Sequence, residues 1–204
     1  MTAAALLQVL KTRRSIRRFK DVPLPQDTVR GLIEAATWAP SAGNRQNWEF
    51  TVVTSAPLKE KMAAAVRAEW KRVLDDPALA TVADQMRDYS RNFDWFSQAP
   101  ALVVLSAKSP DEFLNRMFGP AAADIGGAKT SAAMAAENLM LAAHASGLGS
   151  CCLTAPLAAS EALKTLLDLG ARQAMVCLIA LGYADEKPGQ PPRKAVDRVA
   201  RFIE

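Results

Sequence analysis

The sequence predicts a domain of α/β or α+β class in which one long buried helix and several buried strands share a core. Three observations carry this. Half of the 204 residues are hydrophobic, enough to bury a sizeable core in one domain spanning residues 1–204. An alanine-rich apolar segment, residues 129–149, closes in Gly147-Leu148-Gly149-Ser150. The runs 101–106 (ALVVLS) and 174–181 (AMVCLIAL) are strand-length and have no polar face, so they belong in a sheet covered on both sides.

Residues 131–145 are good helix formers, and only Glu137, Asn138 and His144 interrupt an apolar surface that wraps almost the whole circumference. Such a helix is expected to be buried. Its polar residues rule out a membrane span, so protein must cover it. Small residues (Ala132, Ala133, Ala135, Ala136, Ala142, Ala143) let another helix approach closely, and a second copy of the chain is the natural partner. Gly147 supplies the positive φ of a C-terminal cap.

In chain order, residues 2–11 read as a short amphipathic helix with Leu6, Leu7, Val9 and Leu10 on its apolar side. It leads into Arg13-Arg14-Ser15-Ile16-Arg17-Arg18-Phe19. Ile16 and Phe19 anchor that segment, and its guanidiniums beside a hydroxyl suit a phosphate, because the planar fork donates two parallel hydrogen bonds and stays charged. A Pro-rich break precedes a helix over 26–38, bearing Val29, Leu32, Ile33 and Ala36 and ending at Pro40. Residues 41–48 (SAGNRQNW) are an amide-rich loop, and 49–54 (EFTVVT) a strand. A charged amphipathic helix follows over 57–72, carrying Met62, Val66 and Trp70. The less regular stretch 80–98 gathers Tyr89, Phe93, Trp95 and Phe96, and residues 109–127 form a connection with Phe113, Met117 and Phe118 as its apolar points. After the alanine-rich helix, 151–155 (CCLTA) is extended. Ser160 is expected to cap a helix bearing Leu163, Leu166 and Leu167, with Gly170 as its stop. A Pro-stiffened tail delivers Arg193 and Lys194 as a second basic point.

Composition excludes several classes. The first ten residues place apolar groups before the basic cluster, the reverse of a secretory signal, and three cysteines give neither a disulfide framework nor metal-ligand spacing; a cytoplasmic protein without metal is expected. A net charge of +4 favours an anionic ligand. A nucleic-acid module is disfavoured, because 21 acidic residues are scattered among 25 basic ones and the arginine cluster is short. His144 is the only histidine and lies on an apolar helix; no acid pair, Ser/His/Asp set or phosphate loop is present. Two distant basic clusters, an amide-rich loop and a Gly-Leu-Gly turn suit a ligand with a phosphate at one end and a flat hydrogen-bonding heterocycle at the other, as flavin mononucleotide (FMN) has.

These residues carry a resemblance. Arg13-Arg14-Ser15-Ile16-Arg17-x-Phe19, then Ala39-Pro40-Ser41-x-x-Asn44-x-Gln46-x-Trp48, then the helix with Glu137-Asn138-Leu139-Met140-Leu141-Ala142-Ala143 and Gly147-Leu148-Gly149, resemble the nitroreductase family of FMN-dependent oxidoreductases over nearly the whole chain. The resemblance implies an α+β fold with a mixed, mainly antiparallel central sheet flanked by helices, and a long buried helix at the interface of a homodimer with two FMN sites. It implies that Arg13 and Ser15 hold the FMN phosphate with Arg193, assisted by Lys194. Arg14 would lie beside the ribityl chain and Arg17 near the N1/O2 edge, where a cation favours the reduced flavin. Pro40, Ser41, Ala42, Asn44 and Gln46 would come from the other subunit, and Leu153, Thr154 and Ala155 would present backbone groups near N5 and O4. Phe93, Trp95, Phe96 and Phe118 are the candidate substrate contacts.

The implied reaction passes hydride from NADH or NADPH through flavin N5 to an electron-poor small-molecule acceptor (nitroaromatic, quinone or related compound) by a ping-pong route, with no side chain acting as acid or base. Two departures stand out. Gln46-Asn47-Trp48 replaces the Gln-Pro-Trp of many members, and Trp95 falls where some relatives have a lysine, three positions after Asn92. The alternatives are the same fold and FMN with another reaction (dehalogenation, enal or aldehyde reduction, flavin fragmentation), or a flavin carrier or sensor with little turnover.

Overall fold

Two apolar faces of one sheet organise the chain. The computed structural model describes residues 2–79, 93–108 and 127–203. Within them lie helices α1 (Ala3–Thr12), α2 (Gln26–Thr37), α3 (Ala56–Leu74), α4 (Ala128–Ala145) and α5 (Ser160–Leu166), and strands β1 (Trp48–Val53), β2 (Ala101–Lys108), β3 (Gly149–Leu153) and β4 (Gln173–Gly182). The strands pair in the order β1-β2-β4-β3, every pair antiparallel. The fold is α+β, and the sheet, expected to be mixed and mainly antiparallel, is antiparallel in every strand pair among the described residues.

Side chains alternate across a strand, so each apolar run feeds two cores. Val103, Leu105, Ile179 and Leu181 pack with Leu32 and Ala36 of α2 and with Ala135, Leu139 and Ala143 of α4. Leu102, Val104, Leu178 and Ala180 pack with Met62 and Val66 of α3 and Leu163 of α5. From Ala101 to Ala107 no residue of β2 is more than 1% exposed, as its continuous apolar run predicts. Continuous runs are usual in parallel sheets; here helices on both faces impose the same pattern on an antiparallel one. Opposite β2, partners step from Cys177 at Leu105 to Met175 at Ser106, so Val176 is a bulge residue.

Helix α4 lies where the alanine-rich segment predicts, between left-handed Gly127 (φ 58°) and Gly147 (φ 77°). Within one chain its burial is one-sided. Ala132, Ala135, Ala136 and Ala143 face this chain's own sheet and α2, while Ala133 and Met134 stay exposed and Leu141 and Ala142 half-exposed. One chain covers only one side of the helix. Helix α1, capped by the Thr2 hydroxyl accepting from Ala5 N–H (3.3 Å), buries no residue at all. It is latched to α4 through Thr12 and His144 (2.8 Å). Because the Thr12 hydroxyl donates its proton to the Gln8 carbonyl (2.7 Å), the His144 Nε2 must carry the hydrogen of that contact. Burial, then Arg13 and Arg14, push the His144 pKa down and favour this neutral form.

Two expectations about α5 fail. Ser160 makes no capping hydrogen bond, because a 3₁₀ turn (Ala155–Ala159) runs directly into the helix. The helix ends at Leu166, and Asp168 (φ 51°), not Gly170, takes the left-handed position.

Lys59 on α3 is buried, with its ammonium on the Ala99 carbonyl. Desolvation lowers its pKa, partly offset by Asp21. A lysine whose folded pKa lies below the unfolded 10.5 binds fewer protons in the native state over that interval, so stability rises with pH from the lowered value up to 10.5. Lys59→Met is expected to remove that rise. Urea unfolding of both proteins across the interval tests it, and parallel pH profiles would refute it.

Candidate active site

Residues 13–20 leave α1 and lie along the sheet at β3 and just beyond β4. Ser15 bridges Ser150 in parallel, Ile16 N–H donates to the Ser150 carbonyl (3.0 Å), Lys20 N–H to the Tyr183 carbonyl (2.9 Å), and Asp185 N–H to the Arg18 carbonyl (3.0 Å). Two glycines opposite each other on β3 and β4 make room for this. A Cβ on Gly149 would stand 2.9 Å from the Ile16 side chain, and one on Gly182 2.6 Å from Pro100 and 2.8 Å from Phe19. Glu186 completes the anchorage: its carboxylate accepts the backbone N–H of Arg17 and of Arg18 and pairs with Arg18 Nε at 3.5 Å. The Arg17 amide, foremost, holds the Glu186 pKa below the usual carboxylate value. The arginines are therefore carried on a fixed backbone.

Beside this segment is a cavity of about 560 Å³. Arg17 and Arg18 form one wall, Phe93, Trp95 and Gln98 another, and residues 151–155 the third. Trp95 stacks on Phe19 (centroids 6.3 Å apart, planes at 27°), and Phe93 rests against Trp70 (4.6 Å). Among the described residues no carboxylate lies within salt-bridge distance of the Arg17 guanidinium. Past β3 the chain turns, with Leu157 N–H donating to the Thr154 carbonyl (2.9 Å). Burial raises the Cys151 pKa. The Cys177 thiol, raised far above its ordinary value, donates to Cys152, whose pKa is lowered by that bond. The described lining contains neither histidine nor carboxylate; besides its arginines, its titratable side chains are the Cys151 and Cys152 thiols.

The other predicted residues fall as follows. Arg13 Nε lies 3.7 Å from Glu137 of α4, and Arg14 is turned onto the carbonyls of Lys11 (2.8 Å) and Arg13 (2.7 Å). Arg193 donates to the Pro192 carbonyl (3.4 Å); no hydrogen bond or ion pair among the described residues ties it or Lys194 to residues 13–17. The loop from Pro40 to Gln46 does not line its own chain's cavity. It is pinned to the start of α4, with Ala42 N–H donating to Ser131 Oγ (3.3 Å), and closed on itself, with Gln46 N–H donating to Ser41 Oγ (3.1 Å) and Gln46 Nε2 to Asn44 Oδ1 (3.3 Å). Gly43, Asn44 and Gln46 all have φ between 49° and 59°, an unusual density of left-handed residues. Phe96 is corrected: it is fully buried in the core beneath the cavity and lends packing instead of contact surface. Phe118 and Asn92 lie outside the described residues. Arg18, Gln98, Cys151 and Cys152 line the cavity without having been singled out for it. Cys151 and Cys152 adjoin the predicted 153–155 turn, which was their one signal; nothing in the sequence marks Gln98.

Among the described residues no group of histidine, cysteine or carboxylate side chains could hold a metal, and no helix is long and apolar enough to cross a membrane. What the described residues present is a cavity with aromatic faces, a guanidinium with no carboxylate among them within salt-bridge distance, and backbone edges, an arrangement suited to a planar group. The chain belongs to the nitroreductase family, whose pattern matches residues 10–183. It is 26% identical over 233 aligned positions to a 4-nitrobenzoate reductase of Nocardioides sp. (strain LMS-CY), covering 96% of this chain and 88% of that one. A BluB-like flavoprotein of Clostridium difficile 630 superposes with a TM-score of 0.84 at 27% identity, covering 98% and 99% of the two chains. A nitroreductase with bound FMN from Desulfitobacterium hafniense DCB-2 shares the fold, with a TM-score of 0.72 at 23% identity over the full length of both chains.

Proposed function

We propose that residues 1–204 form one cytoplasmic domain that binds FMN and reduces an electron-poor small molecule, a nitroaromatic, quinone or related compound, at the expense of NADH or NADPH. The observation that carries this is the convergence of Arg17, the Phe93–Trp95 aromatics and the 153–155 turn on one cavity whose described lining holds neither histidine nor carboxylate. The residues fit the cofactor: aromatic faces and backbone edges suit a flat heterocycle, and an arginine without a carboxylate partner among the described residues suits its electron-rich edge. When bound, FMN supplies hydride acceptance at N5 and hydride delivery to the acceptor. The protein's part is to bind and orient. Arg17 places a fixed cation at the cavity wall, Leu153, Thr154 and Ala155 offer backbone groups, and Phe93 and Trp95 bound the space for the substrate ring.

The phosphate falls to Arg13 and Ser15, with Arg193 and Lys194 brought in from the tail; Arg14 borders the ribityl chain. Pro40, Ser41, Ala42, Asn44 and Gln46 complete the site from a second copy, giving a homodimer with two cofactor sites. Open apolar surface supports that assembly. Leu6, Leu7 and Leu10 of α1 are 44–48% exposed, Trp38 is 82% exposed, Met134 opens on the uncovered side of α4, and Phe202 and Ile203 of the tail are exposed.

The test is an anaerobic absorbance spectrum of the FMN-reconstituted protein before and after NADH and, separately, NADPH. Bleaching of the flavin bands by either nucleotide is expected; bands that persist would favour a carrier or sensor. Arg13→Ala and Arg193→Ala are each expected to weaken FMN binding by about 1.5–3 kcal/mol, the scale of a hydrogen bond to a charged group. If both variants bind FMN as the parent does, the phosphate assignment is wrong. A second reading keeps fold and cofactor but changes the reaction to dehalogenation, enal or aldehyde reduction, or flavin fragmentation. The higher TM-score to a protein described as a BluB-like flavoprotein than to one described as a nitroreductase favours testing those acceptors alongside nitroaromatics.

A further inference from the structure

One side chain behind the cavity wall touches two of its parts. Trp70, on α3 and half-buried, donates its indole N–H to the carbonyl of Ala155 (3.1 Å) and packs its ring on Phe93 (centroids 4.6 Å, planes at 50°). Ala155 and Phe93 both line the cavity; Trp70 does not. A buried indole needs an acceptor, which explains why the bond exists but not why it falls on this carbonyl.

The sequence around it supplies the reason. Ala155 precedes Pro156, so the peptide joining them has no N–H, and its carbonyl is the only handle by which a hydrogen bond can hold it. The preceding peptide is held through the Thr154 carbonyl, which accepts from Leu157 N–H (2.9 Å). With the peptide planes on both sides of Ala155 tied, the direction of the Ala155 N–H is set. That N–H has no acceptor among the described residues. The Leu157 bond and, on the next peptide, the bond from Trp70 thus together fix how the Ala155 N–H is presented to whatever occupies the cavity.

We infer that Trp70 is a positioning residue, one that through Ala155 aims a backbone donor at the flavin edge and thereby sets how readily the bound flavin is reduced. This rests on the FMN reading above. Trp70→Phe is the test, because it keeps an aromatic ring against Phe93 while removing the N–H donor together with part of the indole ring system.

Hydrogen exchange of the apoprotein reads the anchoring: exchange at Leu157, whose N–H closes the turn on Thr154, is expected to quicken about tenfold, the scale of one lost hydrogen bond, while β2 and β4 exchange as in the parent and so report an intact fold. Dye-equilibrated titration of the FMN-loaded protein reads the function. The reduction equilibrium is expected to shift about tenfold toward the oxidised flavin, which for a two-electron couple is about 30 mV more negative. The FMN dissociation constant is expected to stay within about threefold, because the phosphate contacts are untouched. A Trp70→Phe protein that binds FMN and keeps the parent's potential overturns the inference alone, whether or not the turn exchanges faster. A parent that takes up no FMN overturns the FMN reading and this inference with it.

Discussion

Phe96→Ala is expected to lower stability by about 3–5 kcal/mol, measured as the midpoint shift in urea unfolding at unchanged slope. The ring is fully buried between α3 and the sheet with Met62, Val66, Leu102 and Val104, none of which can follow an alanine inward without leaving its own contacts. Trp95→Ala, one residue earlier in the chain, is expected to behave differently. Its ring faces the cavity and stacks on Phe19, so the larger consequence is for what the cavity binds. A Phe96→Ala protein as stable as the parent but altered in ligand affinity would restore Phe96 to the binding surface and contradict the packing described here.

That contrast shows where the sequence was legible. Strands β2 and β4 were readable because their apolar runs have only one physical explanation, cover on both faces. Helix α4 was readable because no polar stripe offers it a solvent side and a left-handed glycine stops it. Phe93, Trp95 and Phe96, by contrast, form a cluster whose members look alike in composition. Which of them faces the cavity is decided by the short 3₁₀ turn Trp95–Gln98, and single turns of that kind leave no periodicity to read. The α5 boundary was misread for a related reason: Ser160 has a capping side chain, but the turn before it already continues the helix.

The arginine segment stands out in the sequence as a basic cluster with apolar anchors, whereas the distant residues that hold it do not. Glu186 lies about 170 positions from Arg17 and is one acid among many in composition, yet it fixes two backbone amides of the segment. Trp70 reads in the sequence as one apolar point of an amphipathic helix, and only the turn it reaches reveals its bond. The covering of α4 and α1 shows a further limit. The apolar surface was evident from the residues, but how much of it one chain covers depends on the tertiary arrangement.

Gly149→Ala is expected to destabilise the protein by about 1–3 kcal/mol and, with it, to loosen the proposed cofactor site. The added methyl would sit 2.9 Å from Cβ, Cγ1 and Cγ2 of Ile16, closer than such contacts allow. Ile16 is buried and β-branched, so no free rotamer relieves the clash; its backbone must retreat from β3. That retreat strains the bond from Ile16 N–H to the Ser150 carbonyl and moves Ser15 and Arg17, which flank it, away from the proposed phosphate position and the cavity wall. Thermal unfolding of the apoprotein measures the first effect and FMN titration the second. Ile16→Ala in the same chain removes Cγ1 and Cγ2, so the double variant is expected to lose less than the sum of the two single losses, as residues in direct contact do. Additive losses would mean that the two residues do not press on one another. A Gly149→Ala protein that melts with the parent and holds FMN as tightly would show that the arginine segment does not depend on this close approach for its position.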